Sequence, residues 1–184
     1  MIQNTDVAVK AKSAPFIGLL GQPNTGKSTV FNALTGAHQH VGNWPGKTVE
    51  RKEGYFRYKG KSYTLLDLPG TYSLSANSEE EVITRHNIIG KDIDIVLALV
   101  DASQLERSMF LISEIVGIRQ PTAVLLNMMD IADRMNVKID LDKLGERLGA
   151  VVVPLVGSKG IGIDKLLETV SDVEKLKNLK NPKV

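Results

Sequence analysis

Four short segments hold residue types able to do phosphate and purine chemistry. The first is Gly21-Gln22-Pro23-Asn24-Thr25-Gly26-Lys27-Ser28, which matches G-x-x-x-x-G-K-[ST]. Its glycines let backbone wrap a polyphosphate, and successive N–H groups at a helix start supply positive potential. Lys27 would bring a point charge to the β/γ-phosphates, and the Ser28 hydroxyl would ligate Mg²⁺. The second segment, Asp67-Leu68-Pro69-Gly70, offers a carboxylate for the Mg²⁺ shell and a Gly70 N–H for a γ-phosphate. Asp-Leu-Pro-Gly is also an ordinary turn, so its weight comes from its place between the other motifs. The third, Asn127-Met128-Met129-Asp130, puts a carboxylate where both N1–H and N2–H₂ of guanine could be met. Adenine offers no such donor pair, so Asp130 would discriminate by leaving an acceptor unpaired against the wrong base. In the fourth, Val156-Gly157-Ser158-Lys159, a backbone N–H could meet guanine O6 and the Lys159 stem could lie along the base.

Such motifs need a scaffold that ends several strands along one edge. Apolar, β-rich runs predict strands over Phe16–Leu20, Val49–Tyr58, Tyr63–Leu68, Ile93–Asp101, Thr122–Asn127 and Val151–Val156. Helical spacing predicts helices over Lys27–Thr35, Glu79–Ile89, Glu106–Ile118, Leu141–Leu148 and Ile163–Leu176. Four runs are continuously apolar, as central parallel strands covered on both faces are. Lys59-Gly60-Lys61-Ser62 links two runs as an antiparallel hairpin. The expected fold is therefore α/β: a mostly parallel six-stranded sheet, one antiparallel edge hairpin, and helices on both faces in three layers. Ligands of such sheets bind at the carboxyl ends of the strands, where each motif falls.

Composition fits one domain: 184 residues, 42% hydrophobic and 24% charged. A formal net charge of +2 argues against a nucleic-acid coat, so no nucleic-acid partner is expected. The chain has no cysteine, which excludes disulfide scaffolds, thiolate metal sites and cysteine nucleophiles. No run approaches the roughly 18 apolar residues of a spanning helix. Met1–Pro15 has no apolar core of a signal peptide.

Taken in order, these motifs resemble those of the Ras-like P-loop GTPases. Val41-Gly42-Asn43-Trp44-Pro45-Gly46-Lys47-Thr48-Val49-Glu50, with Asp67–Leu74, closely resembles the N-terminal G domain of the bacterial ferrous iron transport protein B family. The resemblance runs from about Phe16 to Leu167. It implies a GTPase with a slow intrinsic rate, stimulated by K⁺. Nucleotide would lie along Gly21, Gln22, Pro23, Asn24, Thr25, Gly26, Lys27, Ser28, Thr29, Asp67, Gly70, Asn127, Met128, Asp130, Gly157, Ser158 and Lys159. Catalysis would fall to Asn24, Lys27, Thr48 and Gly70; Ser28, Thr48 and Asp67 would serve Mg²⁺, and Asn24 with the Gly42 and Trp44 carbonyls would serve K⁺. The side chains of Gln22 and Thr25, which depart from the common pattern, would face away from the phosphates. Lys47 replaces a commonly apolar residue, and Thr71 stands where Ras has its water-positioning Gln.

The resemblance further divides the chain into a leader (1–14), a G domain (15–170) and a basic tail (171–184) that begins an absent helical domain. The whole would be the cytoplasmic, soluble part of a bacterial inner-membrane iron transporter. Its partners would be guanine nucleotide, the helical and transmembrane domains of the full-length protein, small Feo accessory proteins, and a second copy of itself. The runner-up is a ribosome- or RNA-associated GTPase of the Era/EngA type.

Other features carry less. Glu79, Glu80 and Glu81 are candidates to orient water, or simply acidic residues at a helix start. His38 and His40 read as loop histidines with no third ligand nearby. Arg51, Lys52, Arg57, Lys59 and Lys61 read as a solvated hairpin, and Met128 and Met129 as packing. Trp44 is a core anchor or a mobile switch residue; its neighbours Pro45 and Gly46 favour the latter.

Overall fold

The computed structural model describes residues 14–172 except 37, 76, 91, 92 and 119. Most of the proposed leader and of the tail lies outside them. Seven strands form one sheet: β1 (Phe16–Gly21), β2 (Gln39–Asn43), β3 (Glu50–Tyr58), β4 (Lys61–Asp67), β5 (Ile95–Asp101), β6 (Thr122–Asn127) and β7 (Val151–Pro154). Their order is β2-β3-β4-β1-β5-β6-β7, with β2–β3 and β3–β4 antiparallel and every other pair parallel. Among the described residues the α-helices are α1 (Lys27–Thr35), α2 (Glu79–Ile89), α3 (Leu105–Val116), α4 (Met129–Arg134), α5 (Leu141–Leu148) and α6 (Ile163–Ser171).

Alternation along the central strands builds two faces. Ile17 and Leu19 of β1 pack with Phe31 and Leu34 of α1 and with Leu166 and Val170 of α6. Leu20 points the other way, into a layer with Leu68, Ile83, Ile88 and Leu111. β5 and β6 are buried along nearly their whole length, as sequence runs without polar alternation require. In β3, Gly54 lets α1 approach closely: a side chain there would collide with Thr35 and Phe31.

Two elements differ from the sequence expectation. The sheet has seven strands rather than six, because Gln39–Asn43 pairs antiparallel with Glu50–Gly54. All five β2 residues are exposed, so the strand carries no alternating apolar signal. The short helix α4 was also unforeseen; it follows directly on Met128, whose φ is +62°. Elsewhere the differences are at the ends: α3 stops before Gly117, and β7 stops at Pro154, which can donate no ladder hydrogen bond.

Candidate functional site

The carboxyl ends of β1, β4, β6 and β7 bring the four motifs together. After β1 the chain turns through Asn24 (φ +66°) and Gly26 (φ +87°) into the first turn of α1. Gln22 and Thr25 turn inward, as expected. The Gln22 amide donates to the Arg107 carbonyl at 3.0 Å and accepts from the Ser108 hydroxyl at 3.2 Å. The Thr25 hydroxyl donates back to the Gln22 carbonyl at 2.8 Å. These bonds anchor the loop to α3 and leave Pro23, Asn24, Ser28 and Thr29 exposed.

Asn127 joins three of the segments. Its Nδ2 donates to the Thr25 carbonyl at 2.9 Å, and its Oδ1 accepts from the Gly157 N–H at 2.9 Å. Both bonds are buried, so its amide holds the phosphate loop to the loop after β7. Gly26 is required here twice: its φ is left-handed, and a side chain would strike the Asn127 amide. The sequence assigned Asn127 to nucleotide contact; the geometry gives its side chain a bracing task.

Lys27 and Asp67 form an ion pair. Lys27 Nζ lies 2.5 Å from Asp67 Oδ1 and 2.8 Å from the Leu68 carbonyl. Burial pushes the Asp67 carboxyl above its ordinary range, and Lys27 opposes that rise. Asp130 is pinned by Lys159, whose Nζ donates to Oδ2 at 2.8 Å. That bond holds the Asp130 carboxyl below its usual range, so it stays anionic at neutral pH. Ionised carboxylates and hydroxyls are the hard oxygen donors that Mg²⁺ takes, so Asp67 and Ser28 fit such an ion.

The segment from Gly42 to Thr48 is arranged differently. Gly42 lies opposite Arg51 in the β2–β3 ladder, and the Trp44 carbonyl accepts from the Lys47 N–H at 2.9 Å. Trp44, favoured from sequence as a mobile switch residue, is a core anchor here: it is 7% exposed and packs among Leu68, Leu74 and Ile83. Thr48 is exposed. Among the described residues, no hydrogen bond joins Thr48, Gly42 or Trp44 to Ser28, Asp67 or Asn24.

Near Gly70, Thr71 is buried and its hydroxyl donates to the Ser73 carbonyl at 2.6 Å. Glu81 accepts from the Ser73 hydroxyl at 2.7 Å and from the Asn77 N–H at 2.8 Å, while the Ser78 hydroxyl caps α2. The Ser73 bond holds the Glu81 carboxyl below its usual range. Glu79 pairs with Lys47. His38 and His40 are exposed, and no metal-binding cluster of three or more His, Asp or Glu side chains occurs among the described residues.

Residues 16–170 match the family model of ferrous iron transport protein B. The Fe(2+) transporter FeoB of Shigella flexneri is 51% identical over 154 residues, which is 82% of this chain and 20% of the relative. That of Salmonella typhimurium is 52% identical over the same shares. The chain therefore spans a fifth of the length of these curated relatives. Among solved structures, the cytosolic domain of L. pneumophila FeoB has 42% identity and a TM-score of 0.80, over 85% of this chain and 67% of that one. The GMPPNP form of the T. maritima FeoB cytosolic domain has 40% identity and a TM-score of 0.83, over 86% and 63%. The T. maritima FeoB G domain has 38% identity and a TM-score of 0.79, over 91% and 99%.

Asn127→Ala should leave the Thr25 carbonyl and the Gly157 N–H buried without partners. We expect unfolding free energy to fall by about 2–4 kcal/mol in urea titration without nucleotide. An unchanged midpoint would mean that Asn127 does not brace these loops.

Proposed function

The chain belongs to the ferrous iron transport protein B family, and on that footing we propose that it binds and hydrolyses GTP with Mg²⁺, as the switching domain of an iron transporter. The observation that carries the base assignment is Asp130, anionic and fixed by Lys159, beside a loop that Asn127 braces against the phosphate loop. An ionised carboxylate at that place accepts both guanine edge donors, and bracing fixes its distance from the phosphates. FeoB structures of T. maritima were solved in GDP and GMPPNP forms, which supports the same nucleotide here.

On this reading Lys27 exchanges its contact with Asp67 for the β/γ-phosphates, and the freed carboxylate turns to the metal shell with Ser28. Bound Mg²⁺ would offset phosphate charge and orient the oxygens. Thr48 would add its hydroxyl to the residues that hold Mg²⁺, and Gly70 would offer its N–H to the γ-phosphate. Asn24, exposed on the rim of the loop, offers its side-chain oxygen to K⁺; the Gly42 and Trp44 carbonyls would join it. Thr71 is committed to Ser73 and cannot orient water from its present seat, which supports a slow intrinsic rate.

The remaining assignments concern the whole protein. We place it at the bacterial inner membrane, with this domain facing the cytoplasm and the iron-conducting part elsewhere in the chain. Among the described residues no helix is long and apolar enough to cross a membrane. Helical and transmembrane domains of the same protein, small Feo accessory proteins and a second copy are its proposed partners. The family match over residues 16–170 decides against the RNA-associated alternative.

Asp130→Asn should exchange preference from GDP to xanthosine diphosphate, raising the ratio of xanthosine to guanosine affinity by at least about 100-fold in competition binding. Unchanged preference would remove Asp130 from base recognition. GTP turnover should be faster in KCl than in NaCl, and Asn24→Ala should abolish that difference. Equal rates in both salts for the unmodified chain would remove K⁺ from the account.

A further inference from the structure

Lys47 precedes Thr48 and reaches across to α2. Its Nζ lies 3.0 Å from Glu79 Oε1, at the first turn of α2. Below the pair is a cleft of about 340 Å³ lined by Trp44, Pro45, Arg51, Val82 and His86. Trp44 fills the inner wall, with the Arg51 guanidinium 5.1 Å from its ring centroid. The seat has gains and costs. Burying the indole is favourable. Yet Trp44 Nε1 and Arg51 Nε are both buried with no hydrogen-bond partner. The two unpartnered donors offset part of what burial of the indole contributes, so the seat is held by a narrower margin and a modest contact on the loop carries more weight.

We propose that Lys47 and Glu79 are positioning residues for hydrolysis: their ion pair clasps the Trp44–Val49 loop to α2 and sets how often Thr48 reaches the metal site. The role of Thr48 rests on the GTPase reading above; the clasp on Trp44 does not. The geometry supports the connection in one short run. Trp44 N donates to the Val49 carbonyl at 3.0 Å, and Lys47 N donates to the Trp44 carbonyl at 2.9 Å, so residues 44–49 form one tight turn. A pull on Lys47 is therefore a pull on Trp44 and Thr48 together. Both partners are about two-fifths exposed, so the pair is screened by solvent. A pair of that kind shifts an equilibrium by roughly 1.5- to 5-fold.

Trp44 is the chain's only tryptophan, so its emission reports the loop directly. In low-salt buffer without nucleotide, Lys47→Ala and Glu79→Lys should shift Trp44 emission to the red relative to the parent. The double variant Lys47→Glu, Glu79→Lys should return it. At fixed K⁺, Lys47→Ala should raise kcat for GTP by about 1.5- to 5-fold with GDP affinity unchanged. Adding choline chloride should raise the parent rate toward that of the variant and leave the variant flat. Unchanged emission in both single variants, or no return in the double variant, overturns the clasp. Absence of any GTP hydrolysis by the parent would instead overturn the GTPase reading, while the emission series still decides the clasp.

Discussion

One buried amide holds the site in register. Asn127 donates to Thr25 and accepts from Gly157, linking the end of β6 to the loops after β1 and β7. The spacing of the loop after β1 from the loop after β7 is thereby set by one buried side chain at the end of a sheet strand. The constraint propagates outward. Gly26 must lack a side chain because the amide fills that space, and its left-handed φ leads the chain into α1 at Lys27. On the far side of the loop, Gln22 and Thr25 spend their polar atoms on anchoring. An unpaired amide in this place would be expensive, so the three loops are specified together.

Charge is handled locally. The chain as a whole has a net charge of only +2, yet each anionic group at the site faces one lysine: Asp67 faces Lys27 and Asp130 faces Lys159. The two pairs behave differently. Asp67 sits in a largely desolvated place and its carboxyl is pushed up, so its charge depends on a cation close by. Asp130 lies near solvent and is held down by one hydrogen bond, so it is a ready acceptor. A buried carboxylate that needs a cation suits a metal shell; a wet, firmly ionised one suits recognition of donor-rich base edges.

The sequence made the parallel core plain, because β5 and β6 are uninterrupted apolar runs and each motif follows a strand. α1, α2 and α5 have the predicted ends, where Ser78 and Asp140 cap and Gly36 and Gly149 stop the helix. What was hidden depends on partners distant in the chain. β2 has five exposed residues and exists as a strand because β3 offers it a ladder. Trp44 looked mobile beside Pro45 and Gly46, but Leu68, Leu74 and Ile83 supply a seat for its ring. Lys47 had no evident role until Glu79 was seen opposite, thirty-two positions away in the numbering. The bracing task of Asn127 was hidden likewise, since a motif spells out residue types and not hydrogen-bond partners.

Selection of guanine over adenine is decided by calorimetric titration of the unmodified chain with GDP and with ADP, both in Mg²⁺. With Asp130 as the base acceptor, GDP should give a saturable heat and ADP none at the same concentrations. Equal affinity for the two nucleotides would rule that selection out.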